Sequence, residues 1–362
     1  MGGRSQGRPP LPLPPNPHPQ PLKGGWEGCR GGRGTGRPPA LPCMIWHSMT
    51  SKRLAAIDLG SLTVRLAVAE RTGAGRFRIL AHHREITALG EGLAQTGFLT
   101  PPAMARTTQA LQGFLEVLRS WRVETYRAVA THAVRNSGNG REFLNRLRES
   151  LGLTVEVLSP EAEARLSLKG VLSALAPEYL ALPALAVFDV GGGSSEFALV
   201  RPDREPEFAS LPLGVLTLSQ ARPLGDPPQP PAVAAMKQAI ERQLREFYQQ
   251  NCQPHLTAPP WLVGTAGAVT TLAALSLEMT SYDPGRVNNY ILTRKKVEEL
   301  TTRLAGLTEA ARAALPGLEP AKAGVMVAGA LIIQTILAVF RQDSLVVIDA
   351  GLLEGVLTEM AV

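Results

Sequence analysis

From Lys52 onward the apolar positions of the chain fall into two rhythms. Short aliphatic runs bounded by glycine predict strands: "RLAAIDLGSLTVRLAVAE" reads as strand, turn, strand, and "RFRILAHHREITALG" as a third strand followed by a polar loop. Helical spacing takes over in "TPPAMARTTQALQGFLEVLRSWRV", which has a Thr cap, prolines in its first turn and Met104, Leu111, Phe114, Leu115 and Leu118 along one face. "YRAVATHAV" then predicts a short strand, "NGREFLNRLRESLG" a helix ended by Gly152, and "LTVEVLS" another strand. "PEAEARLSLKGVLSAL" opens a helix at Pro160, with Glu161 and Glu163 in its first turn. The order β-β-β-α-β-α-β-α belongs to an α/β layer domain.

After the linker "APEYLALPA" the pattern starts again. "LAVFDVGGGSSEFALV" repeats strand, glycine turn, strand, and "EPEFASLPLG" adds a third strand. A long amphipathic helix follows in "PPAVAAMKQAIERQLREFYQQ", then a strand running through a glycine turn into a helix in "PPWLVGTAGAVTTLAAL". "LTRKKVEELTTRLAGL" is a further helix, and "SLVVIDAGLLEGVLTEM" a closing strand and helix. "EPAKAGVMVAGALIIQTILAVF" predicts a buried helix, because Lys322 sits in its first turn and it falls short of the ~18 clean apolar residues of a membrane span. Asp58 and Asp189 lead the two glycine turns 131 residues apart, which implies an internal duplication with a cleft between the halves. The expected domains are 52–178 and 179–362, with the last helix free to pack back on the first.

Composition changes the picture at one end only. Hydrophobic residues make up 44% of the chain and charged residues 19%, enough for a sizeable core. The formal charge of +6 would suggest a polyanion partner if it were spread over the fold. Residues 1–48 hold six basic residues against Glu27, so the rest carries only +1, and a nucleic-acid partner is not expected. That leading segment is Pro/Gly/Arg low complexity without period, so residues 1–51 are expected to be a disordered extension, with Met44 and Met49 as alternative starts. It lacks the apolar core of a secretory signal, and a cytoplasmic protein without a membrane anchor is expected. Cys29 and Cys43 lie in it, leaving Cys252 alone in the core, so no disulfide or zinc framework is available there.

The chemistry concentrates in the paired turns "AIDLGSLTVRL" and "VFDVGGGSSEF". Consecutive glycines remove every Cβ from a tight turn, so an anion can reach main-chain N–H donors. Facing each other, the two turns would clamp an oligophosphate. Gly60, Ser61 and Thr63 would supply donors on one side, and Gly191, Gly192, Gly193, Ser194 and Ser195 on the other. Asp58 and Asp189 would hold metal or water. A single such turn is equally a hairpin turn beside a core strand; two of them, each led by an Asp on an apolar strand, favour the clamp.

Together with "GTAGAVTTLAAL", these turns resemble the phosphate and nucleotide loops of the actin-like ATPase and sugar-kinase superfamily, which has two ribonuclease-H-like domains around a cleft. The resemblance adds Gly264 and Thr265 as phosphate contacts. Within that superfamily the chain is similar to the exopolyphosphatase and guanosine pentaphosphate phosphatase (Ppx/GppA) family, short form. The residues that carry this are "IDLGSLTVRLAVAE", "ATHAVRNSGNGREFLNRL", "SPEAEARLSLKGV", "FDVGGGSSEFALV", "SLPLGVLTLSQ", "VGTAGAVTTLAAL" and "LPGLEPAKAGVMVAGALII", in family order.

What the resemblance implies is Mg²⁺- or Mn²⁺-dependent hydrolysis of terminal phosphoanhydride bonds in polyphosphate or guanosine pentaphosphate, by a homodimer. The family's catalytic carboxylate falls on Glu163, with Arg165 beside it; by itself Glu163 is also an ordinary acid at a helix N-terminus. Glu196 resembles the family's second acid. Arg135 and Asn139 match its phosphate contacts, although "RNSGNG" also reads as a solvated loop. Four positions depart from the family: Leu62 for an Asn, and Ala88, Lys322 and Leu353 for arginines. Those losses keep a second expectation open, a non-catalytic nucleotide or polyphosphate sensor. A kinase on the same fold is less favoured, because no sugar-binding carboxylate follows "GTAGAVTTL".

Overall fold

The computed structural model describes residues 52–362. The extension expected over residues 1–51 lies outside them. The first sheet contains β1 (Arg53–Leu59), β2 (Thr63–Gly73), β3 (Arg76–Ile86), β4 (Thr125–Ala130) and β5 (Val155–Val157), in the order β3-β2-β1-β4-β5. β1, β2 and β3 pair antiparallel as a meander, β4 lies parallel to β1, and β5 parallel to β4.

The second sheet contains β6 (Leu185–Val190), β7 (Ser195–Arg201), β8 (Arg204–Leu211), β9 (Trp261–Thr265), β10 (Tyr290–Thr293) and β11 (Ser344–Val347), in the order β10-β11-β9-β6-β7-β8. Without β10 its topology is that of the first sheet, so the duplication extends from the turn motif to the whole sheet. β10 is an added edge strand of four residues, "YILT", too short for period-2 alternation to reveal.

β1 and β6 are buried almost end to end, as strands flanked on both sides must be. Each carries its Asp near its C-terminal end, where it meets the glycine turn. Two helices tie the halves together. Leu166 of the helix Pro160–Ala174 and Leu352, Leu353, Val356 and Leu357 of the last helix, Leu352–Met360, pack with Leu54, Ala56, Ala67 and Ala69 of β1 and β2. The first of these helices also lays Leu168 and Val171 against Leu185, Val187 and Ala198 of the second sheet. Each of the Leu and Val side chains contributes about 1.5–3 kcal/mol by leaving water. The two helices approach closely because Gly170 faces the Gly351 carbonyl and Gly355 faces the Leu166 carbonyl, where a Cβ would collide.

The apolar helix Met326–Val339 lies inside the second core, and among the described residues no helix is long and apolar enough to cross a membrane. Cys252 is buried there as a free thiol.

Candidate active site

The two glycine turns close in the same way. Gly60 N–H donates to the Thr63 carbonyl at 3.1 Å, and Gly191 N–H to the Ser194 carbonyl at 3.0 Å. The amides that follow, Ser61 in one turn and Gly192 and Gly193 in the other, donate to no protein acceptor among the described residues. Each turn is braced from behind. Gly90 and Ala88 N–H groups bind the carbonyls of Ser61 and Leu62, and those of Val215 and Leu216 bind Gly191 and Gly192. The turns also touch each other: a Cβ on Gly192 would lie 2.8 Å from the Leu62 nitrogen and 2.9 Å from Leu62 Cβ.

Strand register places a partner opposite each Asp. Asp58 pairs with Arg65 across β1 and β2, and Asp189 with Glu196 across β6 and β7, at equivalent positions of the two copies. The consequences differ in sign. Arg65 donates to Asp58 Oδ2 from Nε at 2.9 Å and from Nη2 at 2.6 Å, leaving buried Asp58 Oδ1 without a partner among the described residues. Burial works against the Arg65 cation, but Asp58, Asp189 and Glu354 outweigh it and raise its pKa.

In the second copy two carboxylates share the place. Burial first, then Asp189, push Glu196 up to about 7, although Ser194 and Ser210 hydroxyls donate to its Oε1 at 2.6 and 2.9 Å. Asp189 is itself raised by burial, against the Ser167 hydroxyl that donates to its Oδ2 at 2.7 Å and against Arg65.

Glu163 reaches the same space from the first turn of its helix, whose N-cap Ser159 accepts from Ala162 N–H. Burial and the neighbouring Glu196 raise its pKa well above the ordinary range. Arg135 opposes the rise with an Nη1 bond of 2.8 Å to Glu163 Oε2. Burial raises both carboxyls, with Glu196 adding to the rise at Glu163, and a carboxyl whose pKa is moved toward neutral pH is what a general base requires.

These groups line one cavity of about 910 Å³. It brings together Asp58, Gly60, Ser61, Thr63, Glu163, Asp189, Gly191, Gly192, Gly193, Ser194, Glu196 and Thr265. Four expected phosphate contacts are not brought to it. Arg135 stands behind Glu163, with Nη1 also on the Leu158 carbonyl. Asn139 spends both ends of its amide on the Leu99 backbone, at 2.8 and 2.9 Å, so it fastens a loop and does not face the cavity. Ser195 is fully buried and donates to the Leu213 carbonyl. Gly264 faces the Phe188 ring, which fills the space a side chain would need. Arg165 is turned to Glu161 and over the Phe208 ring.

Sequence reasoning missed Arg65, His132, Arg84 and Glu354, all cavity residues. Arg65 carried a signal, since it lies as far beyond Asp58 as Glu196 lies beyond Asp189. Among the family departures, Lys322 keeps a cation on the cavity wall, 3.1 Å from Glu319, which also pairs with Arg84 at 3.1 Å. Leu353 is buried against β1 and β2, and Ala88 takes a left-handed φ of 47° behind the first turn.

No group of three His, Cys, Asp or Glu able to cage a metal occurs among the described residues. Mg²⁺ does not need one, since it binds through one or two carboxylates plus substrate phosphates. The unpartnered Asp58 Oδ1 fits that mode, with Asp189 beside it.

Two copies of one sheet, each ending in an Asp and a glycine turn on a shared carboxylate-lined cavity, define a two-domain protein of the actin-like ATPase fold, each domain ribonuclease-H-like. Residues 67–362 match the Ppx/GppA phosphatase family, and the chain belongs to it. It is 32% identical over 326 residues to exopolyphosphatase 2 of Mycobacterium tuberculosis, covering 86% of this chain and 100% of that one. The crystal structure of the Aquifex aeolicus Ppx/GppA family member matches with a TM-score of 0.70 and 32% identity, over 85% of this chain and 97% of that chain. An exopolyphosphatase from Cytophaga hutchinsonii, at 24% identity and a TM-score of 0.75 over 86% of this chain and 98% of its own, shares the fold.

Proposed function

We propose that the chain hydrolyses the terminal phosphoanhydride bond of inorganic polyphosphate, with guanosine pentaphosphate as a second substrate because it presents the same terminal anhydride. The observation that carries this reading is Glu163 and Glu196 together, both raised in pKa, in a cavity whose other wall is two glycine turns with open amides. Membership of the phosphatase family and the likeness to exopolyphosphatase 2 support it.

In this reading the turn amides of Ser61, Gly192 and Gly193 hold the terminal phosphoryl oxygens. Ionised Glu163 orients a water and takes its proton as the water oxygen bonds to the terminal phosphorus. The bridging P–O bond breaks, its electron pair leaves with the shortened chain, and orthophosphate departs. Arg135 keeps Glu163 aimed and partly ionised, and Glu196 shares the proton load. Mg²⁺ or Mn²⁺, held by Asp58 and Asp189, would neutralise phosphate charge.

The test is orthophosphate release from each substrate separately, with Mg²⁺ and with chelator. Metal-dependent release from polyphosphate supports the reading. Tight binding of either substrate without release, in Mg²⁺ and in Mn²⁺, replaces it with the sensor reading.

A further inference from the structure

His132 stands where the two glycine turns meet, and the mechanism above leaves it unused. It follows β4 and Thr131 at the start of a short helical turn and lines the same cavity as Glu163. A Cβ built on Gly193 would collide with both His132 Nδ1 and Ser61 Oγ, so ring, hydroxyl and glycine main chain converge on one spot. Asn136 Nδ2 lies 3.4 Å from His132 Nε2, and an amide NH₂ donates and does not accept. In the tautomer with Nε2 as acceptor, the neutral ring carries its proton on Nδ1. Burial, with the Arg135 guanidinium adding to it, holds the ring below the usual histidine pKa, so it is neutral at pH 7.

Nδ1 itself is buried and has no hydrogen-bond partner among the described residues. Native structures seldom leave a buried polar atom unmet, and one that faces a cavity calls for a catalytic or ligand-binding account. The other groups at this spot are main-chain amides and a serine hydroxyl, all suited to oxyanions. Arg65 and Lys322 already face carboxylates, Asp58 and Glu319, whereas among the described residues none lies at bonding distance from His132.

We propose that His132 is a phosphoryl-binding residue whose neutral Nδ1–H donates to a non-bridging oxygen of the phosphoryl group held between Ser61 and Gly193. The inference rests on the phosphoanhydride-hydrolase reading. It assigns His132 a directional contact made by a neutral donor, formed in the ground state and kept through the reaction.

Kinetics of polyphosphate hydrolysis by three variants test it. Asn places an N–H near the Nδ1 position, Gln places one near Nε2, and Ala removes both. His132→Ala and His132→Gln should raise KM about tenfold or more with kcat held within about threefold, while His132→Asn keeps KM within about threefold. Equal behaviour of the Asn and Gln variants, or a wild-type KM in the Ala variant, overturns the assignment. A second readout needs no turnover and no variant. In wild-type protein labelled with ¹⁵N-histidine and kept in chelator, the proton should sit on Nδ1, and tripolyphosphate should shift that resonance. A proton on Nε2, or a resonance that tripolyphosphate leaves in place, overturns the assignment. If wild-type protein releases no phosphate, the hydrolase reading fails by itself, and the tripolyphosphate titration decides the His132 contact.

Discussion

Glu196→Gln should stabilise the metal-free protein, by an amount that depends on pH. Glu196 is 4% exposed and lies opposite Asp189, and its pKa of about 7 stands against an ordinary 4.5. A carboxyl with a raised folded-state pKa binds its proton more tightly in the folded chain than in the unfolded one. The fold therefore keeps its full stability below about 4.5 and loses it as pH climbs through about 7. At about 1.4 kcal/mol per pH unit, ionising this group costs the fold about 3 kcal/mol at pH 8 and about 1 kcal/mol at pH 5. Gln removes that cost and can still accept from Ser194 and Ser210. Urea unfolding in chelator at the two pH values reads the difference, as would a Tm gain of about 5 °C at pH 8. A variant destabilised equally at both pH values would refute the picture of a carboxylate forced into a buried, negative place.

Three further outcomes follow from the same geometry. Glu163→Gln keeps an acceptor for Arg135 but loses the base, so kcat for phosphate release should fall at least ~100-fold with KM near wild type; unchanged turnover removes Glu163 from the mechanism. Asp189→Asn should leave polyphosphate binding intact and raise the Mg²⁺ concentration needed for half-maximal rate, measured by metal titration, whereas an unshifted metal curve makes Asp189 scaffold. Gly192→Val drives a side chain into Leu62 of the opposite turn. Calorimetry should find polyphosphate binding abolished, together with a stability loss of about 1–3 kcal/mol from overpacking; retained binding would contradict the clamp.

Much of the fold was legible because the duplication prints itself locally. Apolar strand, Asp, glycine turn and second strand recur at the same offset, and that offset also aligns Gly60 with Gly191, Thr63 with Ser194, and Arg65 with Glu196. The cavity residues that sequence reasoning identified sit on those turns, at a capped helix start or, for Thr265, at the end of β9, where spacing alone sets direction. The misses depend on contacts far apart in the chain. Asn139 resembled a phosphate contact until Leu99, 40 residues away, took both ends of its amide. Gly264 and Ser195 lie in the right motifs, but the Phe188 ring and the Leu213 carbonyl turn them inward. "THAV" read as a strand, because nothing in its composition shows the chain leaving β4 at Ala130 and coiling to place His132 between the turns. Lys322 read as a lost arginine, yet its ammonium stays on the cavity wall, so the positive potential there is reduced less than the substitution implies.

The central claim is that water, oriented by Glu163, attacks the terminal phosphorus. Polyphosphate hydrolysis in H₂¹⁸O with Mg²⁺, followed by mass spectrometry of the products, tests it most directly. The account predicts one ¹⁸O atom in each orthophosphate released, none in the shortened chain, and loss of labelled product in Glu163→Gln. Label in the shortened chain, unlabelled orthophosphate, or a Glu163→Gln protein that labels product at the wild-type rate would contradict it.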